Sequence, residues 1–403
     1  MASAQRRLRV AMVGQKGVPA TYGGIERHVE ELGARLADLG VDVTVYCRRS
    51  YADDIPATYR GMRLVVTPTV ASKHLDAIVH SFTSTVHAIL SETDVVHYHA
   101  LGPGLAAPLA RFGSRSKVAL TVHGLDQERA KWSGLAQRVL GLAYAMSGRV
   151  PDVVVTVSRA LEARYKADFG RRAVYIPNGA AAVTRGEPLG RLATDFGLEP
   201  AGYALFVGRI VPEKRPDLLI EAANGLPDGM KVVIVGDSSF SDEYVDAIKR
   251  AADGNERIVL PGYLYGTELA AAFDNAAVFV QPSDLEGLPI TLLEALSYRL
   301  PVVASDIPPH LEVIADCRCE GHRTFPAGDS GALRDAITAT VADRSRRAEV
   351  QADADRLLAP YDWDSAARAL LDVYASVVRR GAAGEPVAAH PRTSRLAESP
   401  TDA

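Results

Sequence analysis

The residues best placed to do chemistry lie in the stretch Gln281–Ser305, QPSDLEGLPITLLEALSYRLPVVAS. It reads as the end of a strand, a tight loop, a helix opened by proline and a second buried strand. Pro289 suits a first helical turn, where a missing N–H costs nothing, and Leu292, Leu293, Leu296 and Leu300 supply an apolar stripe. Glu286 lies in the loop and Glu294 about two turns later, so with Glu286 at the helix edge the spacing predicts two carboxylates pointing to nearly one side. The N–H groups of a first helical turn suit an anion, and carboxylates suit hydroxyls. The matching ligand carries phosphate and sugar hydroxyls together, as a nucleotide sugar does.

Further candidates sit at the ends of other apolar strands. Arg209 and Lys214 lie in GRIVPEKRPDLLIEA, directly after the strand Tyr203–Val207. Two cations at the carboxyl end of a strand can neutralise a diphosphate and stabilise a leaving nucleotide. Near the N-terminus, LRVAMV enters the loop GQKGVPATYGG and then a helix with Ile25, Val29, Leu32, Leu36 and Leu39 at helical spacing. Gly23 and Gly24 at the start of that helix let the backbone approach a phosphate closely. Gly14 and Gly17 are two residues apart and no G-K-[ST] follows, so neither a dinucleotide fingerprint nor a P-loop is present, which disfavours a dehydrogenase. His123, in TVHGLD, ends a buried strand, where a polar side chain points into a ligand crevice.

Other polar clusters carry weaker signals. His97 and His99 in VVHYHA share one face of a strand; no third metal ligand is evident nearby, so packing or cleft hydrogen bonding is the favoured reading. Cys317 and Cys319 are one residue apart, poor spacing for a disulfide or zinc, and Cys47 ends an apolar strand; structural roles are expected for all three. Asp362 and Asp364 spell D-x-D, but Asp364 reads as the N-cap of a helix Ser365–Arg379 without accompanying ligands. Neither a metal nor a cofactor is expected.

The elements that must position these residues follow from periodicity. Strand, glycine loop, helix and the strand VDVTVYC form the opening unit of a doubly wound parallel fold, with apolar strand candidates at Leu64–Val66, Asp94–His97, Lys117–Val122 and Val153–Val157. Ser158 suits the N-cap of the helix in VSRALEARY, and VYIPNG then ends in a turn. A second such unit begins at Tyr203 and continues through KVVIVGDSS, RIVLPGYL and AAVFVQPS. The expected class is therefore α/β with two doubly wound, Rossmann-like domains facing a cleft. With 403 residues, 47% of them hydrophobic, the chain can bury cores for two domains. The expected boundaries are 1–183, 184–361 with Thr184–Pro200 as a linker, a terminal helix over 362–380, and a tail 381–403 without a periodic apolar face, expected to be disordered.

Charge and hydropathy narrow the setting. No apolar run reaches the ~18 residues of a membrane span and no signal-like segment follows the first arginines, so a cytoplasmic chain is expected. The net charge of −4 divides into about +8 over residues 1–180 and about −12 beyond. A basic first half could face an anionic lipid surface or an acidic acceptor, or reflect scattered solvation; without dense basic runs or interleaved aromatics, nucleic acid is not expected.

The EG…LEA pattern, following PS and preceding PVVAS, resembles the signature of retaining glycosyltransferases with the GT-B fold, in particular family 4. The loop KGVPATYGGIE is similar to that of a subgroup including bacterial rhamnosyltransferases. The resemblance runs from Val10 to about Arg379 and implies transfer from a nucleotide diphosphate sugar to a sugar or lipid-linked acceptor. It implies that Arg209 and Lys214 clamp the diphosphate, that His123 contacts the transferred sugar, and that Glu286 with the backbone of Gly287, Leu288, Pro289 and Ile290 holds sugar hydroxyls. Glu294 would accept from the ribose, while Gly236, Tyr263 and Leu264 would frame the base. The PNG of Pro177–Gly179 would precede the interdomain linker, and the terminal helix would cross back onto the first domain. The competing readings are a nucleotide-sugar epimerase or hydrolase and a non-catalytic sugar-nucleotide-binding protein.

Overall fold

A computed structural model describes residues 6–21, 23–51, 54–70, 76–128, 134–237, 242–342 and 347–383. Strands β1 (Arg9–Val13), β2 (Asp42–Arg48), β3 (Thr58–Tyr59), β4 (Met62–Thr67), β5 (Val95–His99), β6 (Lys117–Val122), β7 (Val153–Thr156) and β8 (Val174–Tyr175) form one sheet. Its order is β3-β4-β2-β1-β5-β6-β7-β8, and within it only the β3–β4 pair is antiparallel. Strands β9 (Tyr203–Val207), β10 (Lys231–Val235), β11 (Ile258–Gly262), β12 (Val278–Gln281), β13 (Val302–Ser305) and β14 (Arg323–Phe325) form a second, parallel sheet in the order β11-β10-β9-β12-β13-β14. Two Rossmann-like domains result.

The strands are apolar because helices cover both faces of each sheet. Every residue of β5, β9, β12 and β13 is buried. In each sheet the first strand lies between two strands reached by crossovers in opposite directions: β1 between β2 and β5, β9 between β10 and β12. Crossovers that diverge in this way leave a crevice at the carboxyl ends of the flanking strands. The glycine loop follows β1, Arg209 and Lys214 follow β9, and Glu286 follows β12.

Three expectations need correction. The stretch Thr184–Pro200 is not a plain linker: it carries a helix, Arg191–Phe196, and buries Leu189, Leu192 and Leu198 in the core. The terminal helix spans Trp363–Ala383, and Asp362, not Asp364, caps it, because Asp362 Oδ2 accepts the Ser365 N–H at 2.8 Å. Asp364 instead accepts from Arg35 Nε at 2.6 Å. Residues 381–383 of the expected disordered tail are helical, and 384–403 lie outside the described residues.

The terminal helix packs against the helix Gly24–Asp38, and Trp363, Ala366, Ala367, Leu370 and Tyr374 join Met12, Val29, Leu32 and Leu36 in the first domain's core. The chain thus leaves that domain after Gly179 and returns at Tyr361, where the two passages meet: the Ala180 N–H donates to the Tyr361 carbonyl at 2.9 Å.

Candidate active site

At the second sheet's crevice, Lys214 ends a short turn, Pro212–Lys214, and Glu286 lies in the loop after β12. Lys214 Nζ donates to Glu286 Oε1 at 2.6 Å, and both side chains are largely shielded from solvent. The same oxygen accepts from Ser283 Oγ at 2.8 Å and Gln281 Nε2 at 3.0 Å. Burial alone would raise the Glu286 pKa, but the Lys214 charge and these hydrogen bonds reverse that and hold it below the usual range. Beneath the loop, Ser305 Oγ donates to the Ser283 carbonyl at 2.5 Å and stands 3.0 Å from His310 Nδ1. Burial pushes the His310 imidazole down to about 4.

The two glutamates are not related by helical phase. The helix runs Ile290–Ser297 with Pro289 as its extended N-cap, so Glu286 stays four residues outside it. Glu294 lies on the helix in a different setting. Burial raises its carboxyl to about 7, offset in part by Arg27 on the first domain's helix Gly24–Asp38.

Residues 287–290 meet the first domain. A Cβ on Gly287 would stand 1.9 Å from the His123 carbonyl oxygen, so only glycine fits there. Leu288 is buried, and its carbonyl accepts from Asn178 Nδ2 at 3.1 Å. Ile290 packs against the first domain's core and faces Gly24. Gly23 has φ +100°, a conformation open to glycine, with Glu26 close against it, and Glu26 Oε1 accepts the Lys16 N–H at 2.9 Å. Burial lowers the Lys16 pKa; among its charged neighbours, Glu26 and Asp76 oppose this while Arg48 and Arg209 add to it.

The base-pocket candidates divide. Gly236 follows β10, and its N–H donates to the Gly262 carbonyl at 2.9 Å. Tyr263 is exposed, and its hydroxyl donates to the Asp237 carbonyl at 3.1 Å. Leu264 is buried with its side chain in the core, so a ligand would meet its backbone.

On the first domain's side, His123 follows β6 and stands 3.3 Å from His99, Nε2 to Nδ1. His28 joins them, its ring centroid 4.5 Å from that of His123. His97 is consumed by packing: Nδ1 meets the Tyr374 hydroxyl at 2.6 Å and Nε2 meets Thr121 Oγ1 at 2.7 Å. Sequence spacing shows no third partner for these histidines. The fold supplies His28 from 71 residues before His99.

Two family models match this architecture half by half: "Glycosyltransferase Family 4" over residues 22–181 and "Glycosyl transferases group 1" over residues 198–357. The chain is a group 1/family 4-like glycosyltransferase with a GT-B fold. This glycosyltransferase is 28% identical over 404 residues to an alpha-maltose-1-phosphate synthase of Mycolicibacterium smegmatis, covering 92% of this chain and 100% of the relative. It is 29% identical over 398 residues to a D-inositol 3-phosphate glycosyltransferase of Xylanimonas cellulosilytica, covering 89% of this chain and 93% of that one. Among solved structures, Anabaena HepE in complex with UDP and glucose superimposes with a TM-score of 0.76 at 17% identity, covering 92% of this chain and 100% of HepE.

Sequence reasoning missed several residues that shape the glycosyltransferase crevice. Gln281 and Ser283 orient Glu286, and their signal was available: polar residues at the mouth of an otherwise apolar strand. Asn178 sat within a motif already noted as a turn. Arg27 and Lys16 gave no signal, because their relevance depends on which domain surfaces meet.

Proposed function

We propose that this glycosyltransferase moves a sugar from a nucleoside diphosphate sugar to an acceptor hydroxyl with retention of anomeric configuration, in polysaccharide, glycolipid or other glycoconjugate assembly. The observation that carries this reading is the Lys214–Glu286 ion pair at the second sheet's crevice, closed against His123 through Gly287. A cation beside a diphosphate stabilises the charge that develops on it as the glycosidic bond breaks. Lys214, Arg209 and the N-terminal end of the helix Ile290–Ser297 supply that stabilisation. Glu286 accepts its protein hydrogen bonds on Oε1, leaving Oε2 for a sugar hydroxyl. His123 positions the sugar from the opposite wall, Glu294 accepts from the ribose, and Gly236, Tyr263 and Leu264 frame the base. The leaving phosphate takes the acceptor proton on the face from which it departs, which accounts for retention without a protein nucleophile.

The cations replace a metal in this scheme, so activity survives EDTA. HepE, with UDP and glucose in its complex, supports a nucleotide-sugar donor. The rhamnosyltransferase-like loop favours a deoxyhexose. Thermal shifts against UDP-, GDP- and dTDP-sugars identify the donor, since a ligand at 100 times its Kd adds about 2.7 kcal/mol. Anomeric NMR of the product then tests retention. Free sugar released without acceptor at the transfer rate would replace this reading with a hydrolase, and an epimerised donor with an epimerase.

A lipid-linked acceptor at the inner membrane face fits a second observation. No helix among the described residues is long and apolar enough to cross a membrane. Yet Phe82, Val86 and Leu90 lie exposed at four-residue spacing on the helix Asp76–Leu90, beside exposed Leu109 and Phe112 on a helix packed against it. Such a stripe on the basic domain suits peripheral contact with anionic lipid. Phe82→Ser/Leu90→Ser is expected to lower cosedimentation with phosphatidylglycerol vesicles; unchanged cosedimentation would discard the contact.

A further inference from the structure

The histidines at the first domain's crevice form a cluster that the transfer reaction does not require as a whole. His28 comes from the helix Gly24–Asp38, His99 from the end of β5 and His123 from the loop after β6. Each offers one ring nitrogen, and these three nitrogens lie within 4.8 Å of one another. His99 Nδ1 and His123 Nε2 are already 3.3 Å apart, which is about the edge of a tetrahedron around zinc with Zn–N bonds of ~2.0–2.1 Å.

The hydrogen bonds around the cluster prepare it. Asn178 Nδ2 donates to the Leu288 carbonyl, which fixes the amide so that Oδ1 accepts from His28 Nδ1 at 2.8 Å. His28 Nε2 therefore carries the lone pair, oriented by an outer hydrogen bond in the manner of metal-ligating histidines. His28 and His99 are 1% and 0% exposed, and His28 Nε2 is buried without a hydrogen-bond partner among the described residues. Burial lowers the pKa of both rings, His28 to about 4, keeping them in the neutral form a metal needs. His97, whose two nitrogens are engaged by Tyr374 and Thr121, is not a ligand. His123 is only half-buried, so it leaves one coordination position open to the crevice.

We propose that His28, His99 and His123 form a binding site for a divalent cation of the zinc class, with its open position toward the crevice. The ion takes His123 away from the sugar and therefore inhibits transfer, a consequence that rests on the placement of His123 under the proposed function.

The test uses full-length protein stripped with EDTA, dialysed against limiting zinc chloride and assayed for metal content and zinc-dependent thermal shift. The wild type is expected to retain about one zinc per chain. His28→Gln, His99→Gln and His123→Gln are each expected to weaken zinc binding more than tenfold, and Asn178→Ala, which removes only the outer hydrogen bond, by about tenfold. His123→Gln, at a half-buried loop position, serves where the buried substitutions prevent folding. Cys317→Ser/Cys319→Ser should keep the zinc: these thiols also lie within 4.8 Å of an Asp353 oxygen, but that carboxylate already accepts the Arg318 and Cys319 N–H groups. No zinc on the wild type, or zinc lost with the cysteines and kept without the histidines, overturns the site. Zinc bound through the histidines with transfer unchanged supports the site and overturns the placement of His123 at the sugar.

Discussion

The two crevice walls are built from opposite chemistry. The second domain's wall is charged: Lys214 and Glu286 neutralise each other, and Gln281 and Ser283 fix the carboxylate. Around His123 the first domain's wall is polar but neutral, with His28, His97 and His99 stripped of charge by burial. Under the proposed transfer, the wall assigned to the departing diphosphate needs fixed charge, whereas the one assigned to sugar hydroxyls needs neutral donors and acceptors that do not compete for that phosphate.

The largest expected effect breaks the charged wall. Lys214→Ala is expected to lower kcat/KM by about 10²–10³-fold and, by leaving Glu286 unpaired, to cost about 3 kcal/mol in denaturant unfolding. Adding Glu286→Gln should restore most of the stability and none of the transfer. If stability does not recover, the pair is not the coupled unit described.

The neutral wall should show itself in acid. Its histidines have folded pKa values below the unfolded 6.5, so the folded protein binds fewer protons than the unfolded chain. Their stability contribution is present above pH 6.5 and lost as pH falls through the folded values, about 3 for His97 and about 4 for His28. Between pH 6.5 and 4 each is expected to cost on the order of 3 kcal/mol, and His97→Gln should remove one such share from the slope measured by urea unfolding.

Glu294 sharpens the contrast from the other direction. Its folded pKa of about 7 lies above the unfolded carboxylate value, so its contribution is fully present below pH 4.5 and lost as pH rises through 7. Glu294→Gln is therefore expected to stabilise the ligand-free protein by about 3 kcal/mol at pH 8 and to be nearly neutral at pH 4. The same substitution should weaken donor binding, read by isothermal titration. The smallest effect concerns the helix covering the neutral wall: Asp362→Ala removes its N-cap and should cost about 1 kcal/mol, while Asp364→Ala, at an exposed ion pair, should cost less.

The architecture was legible because period and punctuation agree. Tyr203–Val207 and Lys117–Val122 are continuous apolar runs bounded by turn residues, and both are strands over those residues. Ser158 caps its helix as its position implied, accepting the Leu161 N–H at 3.4 Å. Local rules failed where two similar residues competed or where distance in sequence hid proximity. Asp362 and Asp364 both satisfy a cap preference, and only backbone direction selects between them. The helical relation between Glu286 and Glu294 failed because Pro289 is the extended N-cap rather than part of the first turn, so the helix begins at Ile290, four residues after Glu286. Lys214 and Glu286 were each visible as single residues at strand ends, but their ion pair spans 72 positions and depends on β9 and β12 lying side by side.

The double crossing at Ala180 and Tyr361 makes the second domain an insert held by both ends. Both ends of the insert are thus anchored at one place, while Gly287 meets the His123 carbonyl at another, and these two contacts fix how the second domain sits on the first.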